Sequence, residues 1–444
     1  MSRATRPIRT TPGVNHFFSS MLEEILDYRN ITKAMKQVKS NKGAGGVDGM
    51  QTDELQDWLE ANWTSWKQSI LEGSYRSQAV RKVEIPKPQG GTRMLGIPCV
   101  LDRLLQQALH QWLGPQYEPE FSANSYGFRE GRNAHQAVLQ AQKYLEEGKE
   151  WIIELDLEQF FDRVNHDKLM GLLAKRIADK RTLKLIRSYL NSGILEGGLV
   201  SQRLEGVPQG SPLSPLLSNI VLHELDKELE ARGHSFVRYA DDCSIYVGSE
   251  KSAGRVLESI TEYIEKKLKL KVNRAKTKVS EPEQSTLLGF SFYRSKDKWE
   301  IKIASKSLRR IKEKIKAKTK RNDPSKAKEK IKKLEAMIEG WVNYFRIARV
   351  GMTMRALDEM TRTRIRIGIW KQWKTPKTRV KNLTKLGVSK SQSYLWGNSS
   401  RGYCRIAHSK IMCVTVNNEC LQRAGYVGFY NYYHWKTGYQ GKLF

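Results

Sequence analysis

The sequence predicts an α+β fold: an antiparallel sheet with helices packed on it, followed by an all-α, strongly basic region. Three observations predict it. Between 151 and about 300 the apolar patterns run strand, helices, strand pair, helix, strand, the split βαββαβ order of a ferredoxin-like sheet. From about 305 the apolar residues move to helical spacing, as in the stripe Ile331, Leu334, Ile338 and Trp341. Charge divides at the same place. The chain holds 77 Lys+Arg and 47 Asp+Glu, a net +30, and residues 301–444 alone hold 34 basic against 8 acidic side chains, which leaves +4 for the first 300.

Taken in order, residues 17–72 carry helical periodicity interrupted by the Gly-rich loop NKGAGGVDG at 41–49. VRKVEI and TRMLGI, joined by PKPQGG, read as a β-hairpin over 80–98. Helices follow at 101–113 and 133–147, then WIIELDL (151–157) as a buried strand, then helices near 166–178 and 181–190. VPQGSPLSP (207–215) is a turn that opens a helix to about Arg232. FVRYADDCSIYVGS (236–249) is a strand pair around a polar tip, followed by an amphipathic helix at 251–268, KLKV, and the strands LLGFSFY and WEIKIA. The basic helices beyond are broken near 322–324. A domain boundary is expected near 300 and a softer one at 374–376, where WKQWKTPK reaches Pro376.

Composition excludes several classes. A chain of 444 residues suits two or three domains of roughly 100–200 residues each, and 39% hydrophobic residues suffice for a sizeable core. Its five cysteines lack CxxC spacing, against a disulfide scaffold or zinc ribbon and in keeping with a reducing cytosol. Cys404, His408, Cys413 and Cys420 fit no metal pattern. The basic N-terminus leads into no apolar segment, and no run approaches the ~20 apolar residues of a membrane span. The basic region is interleaved with Trp and Tyr and lacks a lipidation signal, so its expected partner is nucleic acid rather than a membrane.

Two acidic clusters sit at expected strand ends. One is ELDLEQFFD, with Asp156 at the strand end and Asp162 six residues on; the other is YADD, with Asp241 and Asp242 at a hairpin tip. Adjacent carboxylates on a tight turn repel unless a cation lies between them. Asp156 on a neighbouring strand would complete a cage of hard oxygens suited to Mg²⁺. Two such ions activate a 3′-hydroxyl and stabilise leaving pyrophosphate, the chemistry of a polymerase. An Asp-Asp pair alone is commonplace in turns; the flanking apolar strands and the upstream Asp156 give it weight. Lys87 and Arg93, across the Gly-Gly turn of the first hairpin, are placed to reach a triphosphate, although alone they would read as solvated charges. Gly210 would admit a base pair close to the backbone, and Gln209 would bond a base or sugar edge, in a loop that also caps a helix. An aromatic just beyond the first Asp, Phe160 or Phe161, would press on the sugar and exclude a 2′-hydroxyl, the other being core.

Together, IPKPQGGTRMLGIP, SYGFREGRNAHQA, LDLEQFFDRVNHD, PQGSPLSPLLSNI, VRYADDC, LKVNRAKTKV and LLGFSFY resemble the ordered motif series of a reverse transcriptase. More narrowly, with GWVNYFR (340–346) and IGIWKQWKTPKTRVKNLTKLGV (367–388), the chain resembles the proteins of bacterial group II introns, of the class C type without a C-terminal endonuclease.

The resemblance implies a right-hand polymerase fold. An N-terminal extension and the start of the fingers would occupy 1–76, fingers and ferredoxin-like palm 77–300, a helical thumb (maturase X domain) 301–374, and a basic DNA- and RNA-binding region 375–444, the part beyond the palm being basic and mostly helical. It implies Asp156, Asp241 and Asp242 as ligands of two Mg²⁺ ions, and Lys87, Arg93, Phe160, Phe161, Gln209 and Gly210 around the incoming nucleotide. Lys276 or Lys278 would lie near the triphosphate, and the 41–49 loop would be a lid over the template.

Lys312, Lys316, Arg364, Arg366, Lys371, Lys374, Lys377 and Arg379 would hold nucleic acid. Trp341, Tyr344, Phe345, Trp370 and Trp373 read mostly as thumb core. The implied activity is RNA-directed DNA synthesis on intron RNA from a DNA primer, with maturase action in splicing and retrohoming. The implied partners are intron RNA, primed RNA template, dNTPs and a DNA target, in a bacterial cytoplasmic ribonucleoprotein, as monomer or homodimer. A stand-alone, domesticated or defence-type reverse transcriptase and a splicing-only maturase are the alternatives; the three intact carboxylates weigh against the second.

Overall fold

The computed structural model describes residues 21–86, 91–196 and 199–438, apart from the Arg93 side chain. The chain divides into two compact units after Ser280.

In the first unit, helices α1 (Met21–Ile25), α2 (Tyr28–Ser40) and α3 (Leu55–Leu71) precede a hairpin of β1 (Val80–Pro86) and β2 (Thr92–Ile97). Asp27 caps α2 by accepting the Arg29 N–H. Helices α4 (Val100–Tyr117) and α5 (Ala134–Glu146) follow, the latter opened by a capping box between Asn133 and Gln136. Next come β3 (Trp151–Leu155), α6 (Phe160–Arg163), α7 (His166–Ala174) and α8 (Lys180–Leu190). The short strands β4 (Ile194–Glu196) and β5 (Leu199–Ser201) lead to α9 (Ser214–Ala231), β6 (Ser235–Tyr239), β7 (Asp242–Val247), α10 (Glu250–Tyr263) and β8 (Lys278–Ser280).

Strand order in the central sheet is β6-β7-β3-β8, antiparallel throughout, which is the ferredoxin-like order expected. Its inward residues, among them Ile153, Phe236, Ile245 and Cys243, join one core with Leu104, Leu109 and Leu113 of α4 and Leu217 and Ile220 of α9. Each fully buried aliphatic side chain contributes about 1.5–3 kcal/mol relative to exposure. A second sheet, β2-β1-β4-β5, extends the first hairpin through a parallel pairing of β1 with β4. Strands β4 and β5, three residues each, carry no pattern from which the sequence could predict them.

The second unit opens with the hairpin β9 (Phe290–Ser295) and β10 (Lys298–Ile303), then α11 (Ser305–Lys318), α12 (Ala327–Phe345) and α13 (Gly351–Gln372). Six short helices complete it: α14 (Pro376–Lys385), α15 (Lys390–Gly397), α16 (Tyr403–Ala407), α17 (Lys410–Thr415), α18 (Asn418–Arg423) and α19 (Phe429–Thr437).

The division falls at 280, not near 300, because β9 and β10 form their own two-stranded sheet and pack on the helices that follow. The Phe290 ring lies 4.9 Å from that of Phe345, and the Arg349 N–H donates to the Ile301 carbonyl at 2.9 Å. The fourth strand of the central sheet is instead the three-residue β8. Residues beyond 374 close over the same core. Phe429 of α19 packs edge-on against Trp341, and the buried Asp358 carboxylate accepts the Phe429 and Tyr430 N–H groups and the Tyr426 hydroxyl. Ile331, Leu334 and Ile338 are buried, so the aliphatic stripe is core as expected; of the aromatics Phe345 and Trp370 are buried, Trp341 and Trp373 half-buried and Tyr344 exposed.

Candidate active site

The site forms where β3 and β7 end side by side. Their last paired residues are Leu155 and Cys243, so the next residue of each strand brings Asp156 beside Asp242, at the ~5 Å Cα spacing of facing antiparallel residues. Tyr239 pairs with Asp242, leaving Ala240 and Asp241 as a two-residue turn with Ala240 at φ +57°. The Asp156 backbone is fastened from the far side: Asn273 N–H donates to its carbonyl at 2.8 Å, and its own N–H donates to Thr277 Oγ1 at 3.1 Å. The three acids that the sequence singles out therefore converge at one end of the two central strands.

Electrostatics follow from that crowding. Asp242 keeps contact with solvent, yet desolvation, then the charges of Asp241 and Asp156, push its carboxyl up to about 6, while the Lys276 ammonium works against them. Lys276 Nζ lies 3.5 Å from Asp156 Oδ2. Lys278, the first residue of β8, instead meets Glu154 Oε1 at 3.4 Å. Of the two lysines considered, Lys276 is the one at the acidic cluster.

Among the described residues no three His, Cys, Asp or Glu side chains stand in an arrangement that already encloses a metal ion, so the expected cage is not preformed. Like-charged carboxylates splay apart, and one here turns to an ammonium. The donor set still fits a hard divalent cation. It consists of carboxylate oxygens on rigid strand ends, with a surplus of negative charge that Lys276 only partly offsets.

The other predicted residues are held by contacts of their own. Gln209 and Gly210 are tied to β2: the Gly96 N–H donates to the Gln209 carbonyl at 2.9 Å, and Gly210, at φ +105°, packs so closely that a Cβ would stand 3.1 Å from Gly96 O. The Gln209 side chain reaches Asp162 Oδ2 at 3.5 Å. Phe160 and Phe161 are both core residues, 2% and 9% exposed, in edge-to-face contact. Arg93 lies on β2 opposite Ile85; its side chain and all of Lys87 lie outside the described residues. In the 41–49 loop, expected as a lid, the Ala44 carbonyl accepts Arg103 Nη2 at 2.7 Å, which moors it to α4.

In the second unit the eight basic candidates separate into two sets. Lys312, Lys316, Lys374 and Lys377 are exposed. Arg364 donates to Thr319 Oγ1, Arg366 to the Val416 carbonyl and Arg379 to the Trp373 carbonyl, while Lys371 bonds Asn322; these four brace the unit internally.

The sequence reading missed the support behind the acidic turn, centred on Arg238 and Asp226, both 0% exposed. The available signal was a charged residue within the apolar FVRY and an acid on the apolar side of SPLLSNIVLHELDKEL.

In comparison with known proteins, the family model described as reverse transcriptase (RNA-dependent DNA polymerase) matches residues 85–292, and that described as group II intron, maturase-specific domain matches 308–387. Protein YkfC of Escherichia coli K12 is 32% identical over 317 residues, which cover 62% of this chain and 83% of YkfC. The group II intron-encoded protein LtrA of Lactococcus lactis subsp. cremoris is 38% identical over 195 residues, covering 44% of this chain and only 32% of LtrA. A chain of a solved Cas6-RT-Cas1–Cas2 complex aligns at 24% identity over 55% of this chain and 26% of its own, with a TM-score of 0.37. Among the described residues no helix is long and apolar enough to cross a membrane.

Proposed function

Because this chain belongs to the group II intron-type reverse transcriptases that carry a maturase-specific domain, we propose that it extends a DNA primer on intron RNA and binds that RNA as a maturase. The observation that carries the reading is the register of β3 and β7, which sets Asp156 against Asp242 at the ends of the two central strands.

Asp156, Asp241 and Asp242 would hold two Mg²⁺ ions, which supply charge neutralisation for the attacking 3′-hydroxyl and the leaving pyrophosphate. The protein's own part is to position and to discriminate. Lys276, beside Asp156, would bind the triphosphate together with Lys87 and Arg93, as cations that match its charge. Gln209 and Gly210 would face the primer–nucleotide side, held by their attachment to β2. The exposed Lys312, Lys316, Lys374 and Lys377 would neutralise phosphates of the bound duplex and of the folded intron. RNA binding and splicing assistance would use that surface and not the carboxylates, so they are separable from DNA synthesis.

Primer extension on an RNA template with Mg²⁺, run beside Asp242→Asn, tests the reading. Extension by the wild type and none by the variant, with RNA binding retained in both, is the expected result. A variant that extends as well as the wild type removes the site assignment.

A further inference from the structure

Behind the acidic turn lies a polar network that the reaction above does not use. Arg238 Nε and Nη2 meet the two carboxylate oxygens of Asp226 at 2.6 and 2.5 Å, with both side chains fully buried. Arg238 Nη1 donates to Asn219 Oδ1 and to the Ala240 carbonyl, each at 3.0 Å. Asn219 Nδ2 in turn donates to the Gly127 carbonyl at 2.9 Å. Gly127 lies directly against the turn: a Cβ there would stand 2.2 Å from Ala240 N. The strand is held on the same side, since the Tyr126 N–H donates to the Arg238 carbonyl and the Arg238 N–H to the Asn124 carbonyl.

The network bears on Ala240 twice, through the Arg238 bond to its carbonyl and through the Gly127 backbone packed against it; Ala240 is a non-glycine residue in the left-handed region, immediately before Asp241 and Asp242. A buried ion pair is a poor device for stability alone, because apolar residues of the same volume commonly do as well. The neighbouring buried positions of β6, Phe236 and Val237, are indeed apolar. What a guanidinium adds is a fixed fork: two arms locked on Asp226 leave the third aimed at one carbonyl. The Gly127 backbone packs directly against the N side of the turn while the guanidinium holds the Ala240 carbonyl, so Ala240 is hemmed in on one side and hydrogen-bonded on the other.

We propose that Arg238, oriented by Asp226 and Asn219, is a positioning residue that fixes the Ala240–Asp241 turn so that the Asp241 and Asp242 carboxylates face the metal ions. This rests on the reading of those carboxylates as metal ligands, and the test separates the two.

The full chain, bound to a primed RNA template, is compared with Arg238→Lys, Gly127→Ala and Asp242→Asn. Lysine keeps the charge and loses the fork; the added methyl at 127 displaces the turn and leaves the ion pair intact. Mn²⁺ is the probe ion, its binding read from loss of the free-ion electron paramagnetic resonance signal, beside template affinity, melting temperature and the Mg²⁺ dependence of extension.

A folded Arg238→Lys with Mn²⁺ binding weakened roughly 10–100-fold, extension slowed about a hundredfold and partly recovered at high Mg²⁺, and unchanged template affinity is the expected result. A folded Arg238→Lys that binds Mn²⁺ as the wild type does overturns the proposal. Should Arg238→Lys not fold, Gly127→Ala decides in the same way: weakened Mn²⁺ binding supports the clamp and wild-type binding overturns it. Asp242→Asn that still extends and binds Mn²⁺ normally would instead sink the underlying ligand assignment, whatever the clamp variants do.

Discussion

The Lys276 ammonium stands 3.5 Å from a carboxylate oxygen of Asp156, on a side chain that is 67% exposed. So open an ion pair contributes at most about 1 kcal/mol to stability, and its placement at the acidic cluster makes it available to an incoming triphosphate. Lys276→Ala is therefore expected to raise KM for dNTP by about tenfold or more, the loss of one charge-assisted contact. Melting temperature and template affinity should scarcely move. Lys278→Ala, which removes the partner of Glu154 at the start of β8, is the internal control and should leave KM near the wild-type value. Steady-state extension kinetics on a primed RNA read both.

The two adjacent phenylalanines separate by exposure. Phe160 is 2% exposed, whereas Phe161 is 9% exposed and, through its carbonyl, accepts the Val207 N–H of the loop that leads to Gln209. Phe161 is the more exposed of these two core residues, and we propose it as the sugar gate. Phe161→Val should increase ribonucleotide incorporation measurably in competition with dNTPs. Phe160→Ala should instead destabilise the unit by about 3–5 kcal/mol, the usual result of emptying an aromatic core position, without changing sugar selection. Ribonucleotide incorporation and thermal melting of the two variants, measured together, assign the roles.

How far the sequence predicts these features depends on the length and burial of each segment. FVRY and CSIYV are long and apolar enough to predict a strand pair, and WIIEL its neighbour, so the strand ends bearing Asp156, Asp241 and Asp242 could be read directly. The fourth strand, Lys278–Ser280, is three residues with one buried side chain, and no periodicity survives at that length. LLGFSFY and WEIKIA are real strands, but pattern cannot tell which sheet a strand joins; the contact of Phe290 with Phe345 decides that, across 55 residues of sequence. The basic residues show the opposite failure. Charge density predicted an interface, yet a guanidinium that braces a carbonyl, as Arg366 does at Val416, looks in sequence the same as one that meets a phosphate.

Glu335 of α12, in the second unit, carries another titration. Its carboxylate oxygens are buried without hydrogen-bond partners of good geometry. Burial, reinforced by the charges of Asp358 and Glu339, raises its pKa from 4.5 to about 7, against the pull of the Gly428 and Val427 N–H groups. In the unfolded chain the group ionises near 4.5, so between about 4.5 and 7 the folded form holds the extra proton and stability falls as pH rises, levelling off above 7. Glu335→Gln should accordingly be neutral near pH 4.5 and stabilise the unit at pH 8 by about 1–3 kcal/mol. Denaturant melts at the two pH values check it; equal effects at both would show that the carboxyl is not protonated in the folded protein.

The two sets of basic residues in the second unit should also come apart in experiment. Lys312, Lys316, Lys374 and Lys377 are exposed, so changing all four to Gln removes charge without removing contacts. If each neutralises one phosphate, the slope of log affinity against log salt for intron RNA should fall by roughly three, at 0.7–0.9 per neutralised phosphate. Thermal stability should hold. Arg364→Gln and Arg366→Gln take away donors to Thr319 and the Val416 carbonyl. They should lower stability by about 1–3 kcal/mol each, because a half-buried acceptor loses its partner. Their effect on the salt slope should be smaller than that of the lysines. RNA titrations at several salt concentrations, paired with melting curves, distinguish the sets, and an unchanged slope in the fourfold lysine variant would move the RNA-binding surface elsewhere on the unit.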